Sequence, residues 1–271
     1  VRPINNIVDI TNYILHAYGQ PLHCFDADKI KGGKIVVKTV AEGTTFVTLD
    51  EVERKLSDKD LMICNTEEPM CIAGVFGGLD SGTTEQTVDV FLESAYFNPT
   101  WVRKTARRHG LSTDSSFRFE RGIDPNGTIY ALKEAALLVQ ELAGGTISSE
   151  IKDNYPAPIA DFTVELNYEI VHSLIGKTIP VETIKSIVTS LEMKIVNETP
   201  EGLTLQVPPY RVDVQRDCDV VEDILRIYGY NNVEIPTTLK SSLTTKGEVD
   251  YSQKLQNLIS EQLVGCGFNE I

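Results

Sequence analysis

The sequence predicts an α+β protein: a mixed-sheet domain with flanking helices, then a small three-helix domain carrying a β-hairpin. Three observations predict it. Short runs rich in β-branched residues at 34–39 and 88–92 read as strands. A long amphipathic helix is expected from Asp124-Pro125, with Ile129, Leu132, Ala136, Val139 and Leu142 on one face and Gly144-Gly145 as its stop. Beyond a proline-bearing link at 154–158, about 75 residues read as helix, helix, hairpin and helix.

Each element follows from local signals. A strand at 162–166 precedes a short helix from Tyr168 to Gly176. A second helix follows Pro180, with Ile184, Ile187, Val188 and Leu191 on one face. Strands near 194–196 and 203–207 flank a turn at 200–202, and a third helix covers about 217–228. The order resembles a winged-helix arrangement, a fold that often binds nucleic acid, though its acidic third helix argues against groove insertion. A further amphipathic helix with Leu255, Leu258, Ile259 and Leu263 reads as a surface awaiting a docking partner, and the chain is expected to be a piece of a longer polypeptide. The expected domains are 1–157, 158–236 and 237–271, the last a linker and the first helix of another domain.

Composition narrows the function. Of 271 residues, 41% are hydrophobic and the formal net charge is −14, which disfavours generic nucleic-acid affinity over a wide face. No apolar run approaches the roughly 20 residues that a membrane span needs. The five cysteines are scattered, which fits small buried residues in a reducing cytoplasm better than a disulfide framework or a zinc site. Against this acidic background, Arg103, Lys104, Arg107, Arg108, Arg118 and Arg121 form a basic island. Two readings stand: a local anionic partner, or pairing with some of the 39 carboxylates.

Several segments together carry a family resemblance: 2–13 (RPINNIVDITNY), 19–26 (GQPLHCFD), 74–78 (GVFGG), 92–97 (LESAYF) and 107–125 (RRHGLSTDSSFRFERGIDP). Their order and spacing resemble the editing module of the bacterial phenylalanyl-tRNA synthetase beta subunit. Residues 219–223 (DVVED) and 228–232 (YGYNN) resemble the small domain that follows that module. The resemblance implies hydrolysis of the ester joining tyrosine to phenylalanine tRNA. It also implies an alpha subunit in an alpha2beta2 heterotetramer, ATP used by that alpha subunit, a cytoplasmic location, and no membrane or DNA partner.

Discriminating tyrosine from phenylalanine rests on one hydroxyl. A site that hydrogen-bonds this group discriminates about ten-thousandfold or more, because the wrong ligand leaves a polar group unpaired. Glu93, placed after Phe91-Leu92 where another hydrophobe would be ordinary, matches the family's hydroxyl reader. His23 matches a pocket residue that positions substrate or water, and Thr113 joins these two as the catalytic set. Arg2, Thr11, Asn12, Gly74, Gly77 and Ser115 match substrate-binding positions. Ser115 departs from the alanine expected there. Gly78, with Gly74 and Gly77, would admit close backbone approach. Asp213, Asp219, Glu222 and Asp223 match a Mg2+ site shared with the alpha subunit; acids in a first helical turn are also ordinary dipole partners. His109 is open between an RNA-facing and a structural role. The competing readings are a non-catalytic scaffold that positions tRNA and the alpha subunit, and a free-standing deacylase.

Overall fold

The computed structural model describes residues 2–235, 237 and 248–269. It divides into two compact units, one ending at Tyr230 and one beginning at Asn231. Helix α1 (Asn6–Tyr18) starts where the Asn5 side chain accepts the Val8 N–H and stops at Gly19, whose φ of 70° ends the helix in a left-handed turn. Strand β1 (Leu22–Asp26) follows at once and pairs antiparallel with β8 (Val90–Ser94), some 70 residues later. Between them run β2 (Val36–Thr39), β3 (Thr45–Val47), β4 (Glu53–Lys55), β5 (Leu61–Cys64), β6 (Pro69–Ile72) and β7 (Phe76–Gly77). They form a four-stranded sheet ordered β2-β5-β6-β7 and a β3-β4 ribbon.

The α+β class holds, and among the described residues the sheets are antiparallel rather than mixed. The strand expected at 88–92 lies two residues later, because pairing with β1 sets its limits and leaves Val88 85% exposed. The strand expected at 34–39 shortens to β2, an edge strand.

Helices α2 (Pro99–His109) and α3 (Asp114–Phe119) pack beside the main sheet, burying Phe97, Val102, Ala106 and Phe119 with Met62, Ile72 and Val75. Helix α4 (Thr128–Ala143) begins three residues later than expected from Asp124-Pro125. The Asp124 carboxylate accepts the Asn126 N–H and its carbonyl accepts the Gly127 N–H, so the pair builds a turn instead of a helix start. Helix α4 packs on α1 through Ile10, Ile14, Ala131 and Ala135, and Leu22 and Leu92 of the β1-β8 ribbon join that cluster.

The later segment follows its sequence signals closely. Strand β9 (Phe162–Asn167), α5 (Tyr168–Ile175), α6 (Val181–Ser190), β10 (Lys194–Glu198), β11 (Gly202–Val207) and α7 (Asp217–Tyr228) give a three-stranded sheet ordered β10-β11-β9 under three helices. Gly202 permits the sheet's closest approach: a Cβ there would lie 2.1 Å from the Leu166 carbonyl oxygen. In the second unit, α8 (Glu248–Gly265) leaves Leu255, Leu258, Ile259 and Leu263 exposed. Most of the linker expected ahead of it lies outside the described residues. Among the described residues no helix is long and apolar enough to cross a membrane.

Candidate functional site

Strand alternation builds the site. In the β1-β8 ladder His23 stands directly opposite Glu93, so both side chains project from one face. The other face carries Leu22 and Leu92 into the α1-α4 cluster. Ser94 fixes β8 to α4 by donating its hydroxyl to the Thr128 carbonyl at 2.8 Å. Buried Gln20 donates to the carbonyls of Pro21 and Ala95, tying the start of β1 to the end of β8.

The face bearing His23 and Glu93 looks toward the β6-β7 pair, in which Cys71 stands opposite Gly77. A Cβ on Gly77 would lie 2.8 Å from His23 Cε1 and 2.9 Å from Leu49 Cδ1, so glycine is what admits the imidazole. Phe25 packs edge-on against the same ring with centroids 4.4 Å apart.

Enclosure sets the electrostatics. Burial pushes the Glu93 carboxyl up to about 8 and the His23 imidazole down to about 4, since neither charged form is well solvated there. Both residues nevertheless keep part of their surface open. At neutral pH, therefore, a largely protonated acid faces a neutral imidazole. His23 Nε2 is buried without a hydrogen-bond partner, a polar atom waiting for one. Burial also holds the Cys71 thiol well above its ordinary value, and the Glu93 charge adds to that. Cys71 keeps its place as a small buried residue.

The remaining expected residues take other places. Thr113 caps α3: its hydroxyl accepts the Ser116 N–H at 3.0 Å and donates to the Val75 carbonyl at 2.8 Å. Ser115 donates to the Gly74 carbonyl at 3.3 Å, which spends its additional hydroxyl on the same loop. The start of α3 thus grips the loop at Gly74, whose φ of 69° and contact with Phe97 suit glycine alone. Thr11 is buried in α1 and donates to the Val8 carbonyl, Asn12 is half-buried beside it, and Arg2 is exposed ahead of the helix.

The four acids expected to share Mg2+ do not form a ligand set. Among the described residues no three His, Cys, Asp or Glu side chains converge on a point that could hold a metal. Arg216 and the backbone N–H groups of Gln215 and Arg216 occupy Asp219, pulling its carboxyl down to about 2. Arg211 occupies Asp223, while Asp213 and Glu222 are exposed. Helical spacing put three acids on one side, and arginines at and just ahead of the helix start, Arg216 and Arg211, neutralise two of them.

The basic island divides. Arg108 pairs with Asp60, Arg118 with Asp114, and Arg121 with Glu120 while stacking on Phe117 at 3.6 Å. Arg103, Lys104 and Arg107 are exposed and form no ion pair among the described residues. Sequence reasoning missed Asp60, which is fully buried and receives Ser57 N–H, Thr105 Oγ1, Arg108 and His109 Nε2. His109 is thereby placed structurally. No local signal marks Asp60, because its side-chain partners lie 45–49 residues away.

An opposed acid and imidazole, set on one face of the β1-β8 ladder against the β6-β7 pair, are thus carried by the first 144 residues. The chain belongs to the B3/4 domain family, whose model matches residues 1–144; the tRNA synthetase B5 domain model matches residues 164–230. Over its whole length the chain is 82% identical to a phenylalanine–tRNA ligase beta subunit from Bacteroides fragilis. It is 58% identical to the one from Porphyromonas gingivalis and 42% to the one from Geobacter metallireducens. It spans about a third of the length of these relatives: 33%, 33% and 34%.

Proposed function

We propose that this chain is the editing part of a phenylalanine–tRNA ligase beta subunit and hydrolyses tyrosine wrongly esterified to phenylalanine tRNA. The observation that carries the reading is the opposition of His23 and Glu93 across the β1-β8 ladder, where burial desolvates both groups. A carboxyl already stripped of water is suited to reading a phenol. A tyrosine hydroxyl supplies it with a hydrogen-bond partner; phenylalanine leaves it bare, at a cost of about 1–3 kcal/mol or more.

The ester is an activated acyl group, so placing a water and an oxyanion donor does most of the work. His23 Nε2, buried and unpartnered, is the group to hold that water or the substrate. Thr113 and Ser115 act at one remove, by fixing the loop at 74–75 through their hydroxyls. Arg2, Thr11 and Asn12 lie at the start of the chain and along α1, where they would meet the amino acid or terminal ribose.

In this reading the partners are phenylalanine tRNA and an alpha subunit in an alpha2beta2 assembly of the cytoplasm. Activation with ATP belongs to the alpha subunit. Residues 1–157 form the editing domain, 158–236 the small domain and 237–271 the entrance to the next. No magnesium-dependent step is assigned to this chain, since Asp219 and Asp223 are paired with arginines and the four acids do not converge on one point.

The test is deacylation of tyrosyl-tRNA, carried on phenylalanine tRNA, by the reconstituted heterotetramer with wild-type and Glu93→Ala beta subunits. Clearance by wild type and its loss in the variant is the expected result. No clearance by either makes the chain a scaffold. Equal clearance leaves hydrolysis standing and removes Glu93 as the reader.

A further inference from the structure

A second side chain shares with His23 the space above the Gly77 α-carbon. A Cβ built there would lie 2.9 Å from Leu49 Cδ1 and 3.3 Å from His23 Nε2, the buried nitrogen without a partner. Leu49 is nonetheless 44% exposed, and its Cδ2 lies 3.4 Å from a Cβ built on Gly82, which bridges to Phe25. An exposed leucine is ordinary in itself. This one is held in place by a network of polar contacts.

Leu49 rides on the turn between β3 and β4. Its N–H donates to the Gly77 carbonyl at 3.1 Å and Thr48 forms a bridge with Gly78, so the turn is laid along β7. Glu51 takes a φ of 62°, a left-handed conformation that a glutamate adopts at a cost. Arg54 braces this shape. Its Nε–H donates to the Thr48 hydroxyl at 2.9 Å and its Nη2 to the Asp50 carboxylate at 2.7 Å, while the Thr48 hydroxyl donates to Asp50 in turn. Its Nη1 donates to the carbonyl of His109, the last residue of α2, at 2.9 Å. Asp60 grips the ring of that same histidine. A cation that only capped α2 would need the His109 carbonyl and nothing else. Here two of the three guanidinium nitrogens are spent on the turn that carries Leu49. A lysine has no fork with which to hold all three partners.

We propose that Leu49 is an apolar wall of the site that binds the esterified amino acid, and that Arg54 is the positioning residue that keeps it beside His23. The proposal rests on the hydrolysis proposed for this chain and adds to it the apolar contact next to the imidazole. An apolar side chain touches the ground state as much as the transition state, so its loss raises KM and leaves kcat nearly unchanged.

The test is a double-mutant cycle on Leu49→Ala and Arg54→Lys. It is read as kcat and KM for deacylation of tyrosyl-tRNA, carried on phenylalanine tRNA, by the reconstituted heterotetramer. Phenylalanine aminoacylation by the same preparations verifies assembly. Leu49→Ala is expected to raise KM about fivefold, the effect of uncovering part of one leucine side chain. Leu49→Met, which keeps the volume, is expected to hold KM within about twofold of wild type. Arg54→Lys is expected to raise KM at least about twofold, and the double variant to match Leu49→Ala, because Arg54 acts through that side chain. Asp50→Asn, a milder change at the surface end of the same brace, is expected to follow Arg54→Lys.

An unchanged KM in Leu49→Ala overturns the wall. Effects of Leu49→Ala and Arg54→Lys on KM that multiply in the double variant overturn the positioning role. A lower kcat at unchanged KM in Arg54→Lys and Asp50→Asn, the mark of less folded enzyme, makes the brace purely structural and overturns it as well. Each of these leaves hydrolysis by wild type standing. No deacylation by wild type overturns the hydrolytic reading itself, and this proposal with it.

Discussion

Replacing Glu93 by glutamine tests the desolvated acid directly, through stability rather than activity. Burial raises the folded-state carboxyl from its ordinary 4.5 to about 8. In the unfolded chain the group ionises at the ordinary value. Between these two values the folded form holds a proton that the unfolded form has released, so stability falls as pH rises and levels off above about 8. At about 1.36 kcal/mol per pH unit the full span amounts to about 5 kcal/mol. Glu93 keeps some surface open, and screening by that solvent brings the expected loss nearer 2 kcal/mol. His23, lowered from 6.5 to about 4, contributes the opposite slope below 6.5 in both proteins and cancels on subtraction. The assay is urea unfolding of wild type and Glu93→Gln at about pH 5, 6.5 and 8.5, followed by circular dichroism. The variant is expected to gain about 2 kcal/mol relative to wild type from the lowest to the highest pH. Parallel profiles, within about 0.5 kcal/mol, would mean a solvated and ionised Glu93, and the hydroxyl-reading argument would fall with them.

Two further substitutions probe the supports of the site. Gly77→Ala places a methyl against His23 and Leu49; it should slow deacylation at least tenfold (roughly 1.4 kcal/mol) at a stability cost of about 1–3 kcal/mol, and an unchanged rate would show that the imidazole need not stay where Gly77 lets it lie. Asp60→Ala strips a buried carboxylate from Ser57, Thr105, Arg108 and His109, an expected loss of about 3–5 kcal/mol in urea unfolding; a loss under about 1 kcal/mol would show that this cluster does not anchor α2. The Asp60 contribution is also pH-dependent. Burial would raise its carboxyl, but the hydrogen bonds from Ser57, His109 and Thr105 outweigh that and hold it below its ordinary value, so the stabilisation is present above the unfolded value and fades as pH falls through the folded one.

Local chemistry determined much of this protein. The elements from β9 to α7 lie where apolar period, proline and glycine placed them, because each signal acts within a few residues of its effect. The family was legible in ordered motifs, and Glu93 stood out as an acid where an apolar strand would continue. Tertiary structure decided the rest. Strands β3 to β7 are two to four residues long, too short for periodicity to mark, and their partners alone define them. The same holds for the shift of β8 and for the turn at Asp124-Pro125. Six basic residues looked alike in sequence, yet among the described residues three found carboxylates and three did not, because pairing depends on what the fold brings near. The acids of α7 shared a face by helical geometry, but Arg211 and Arg216 reached two of them first. Most of all, His23 and Glu93 are 70 positions apart, and only the register of β1 on β8 sets them opposite each other. Burial then decides their protonation, a property of the space between them that neither residue carries in the sequence.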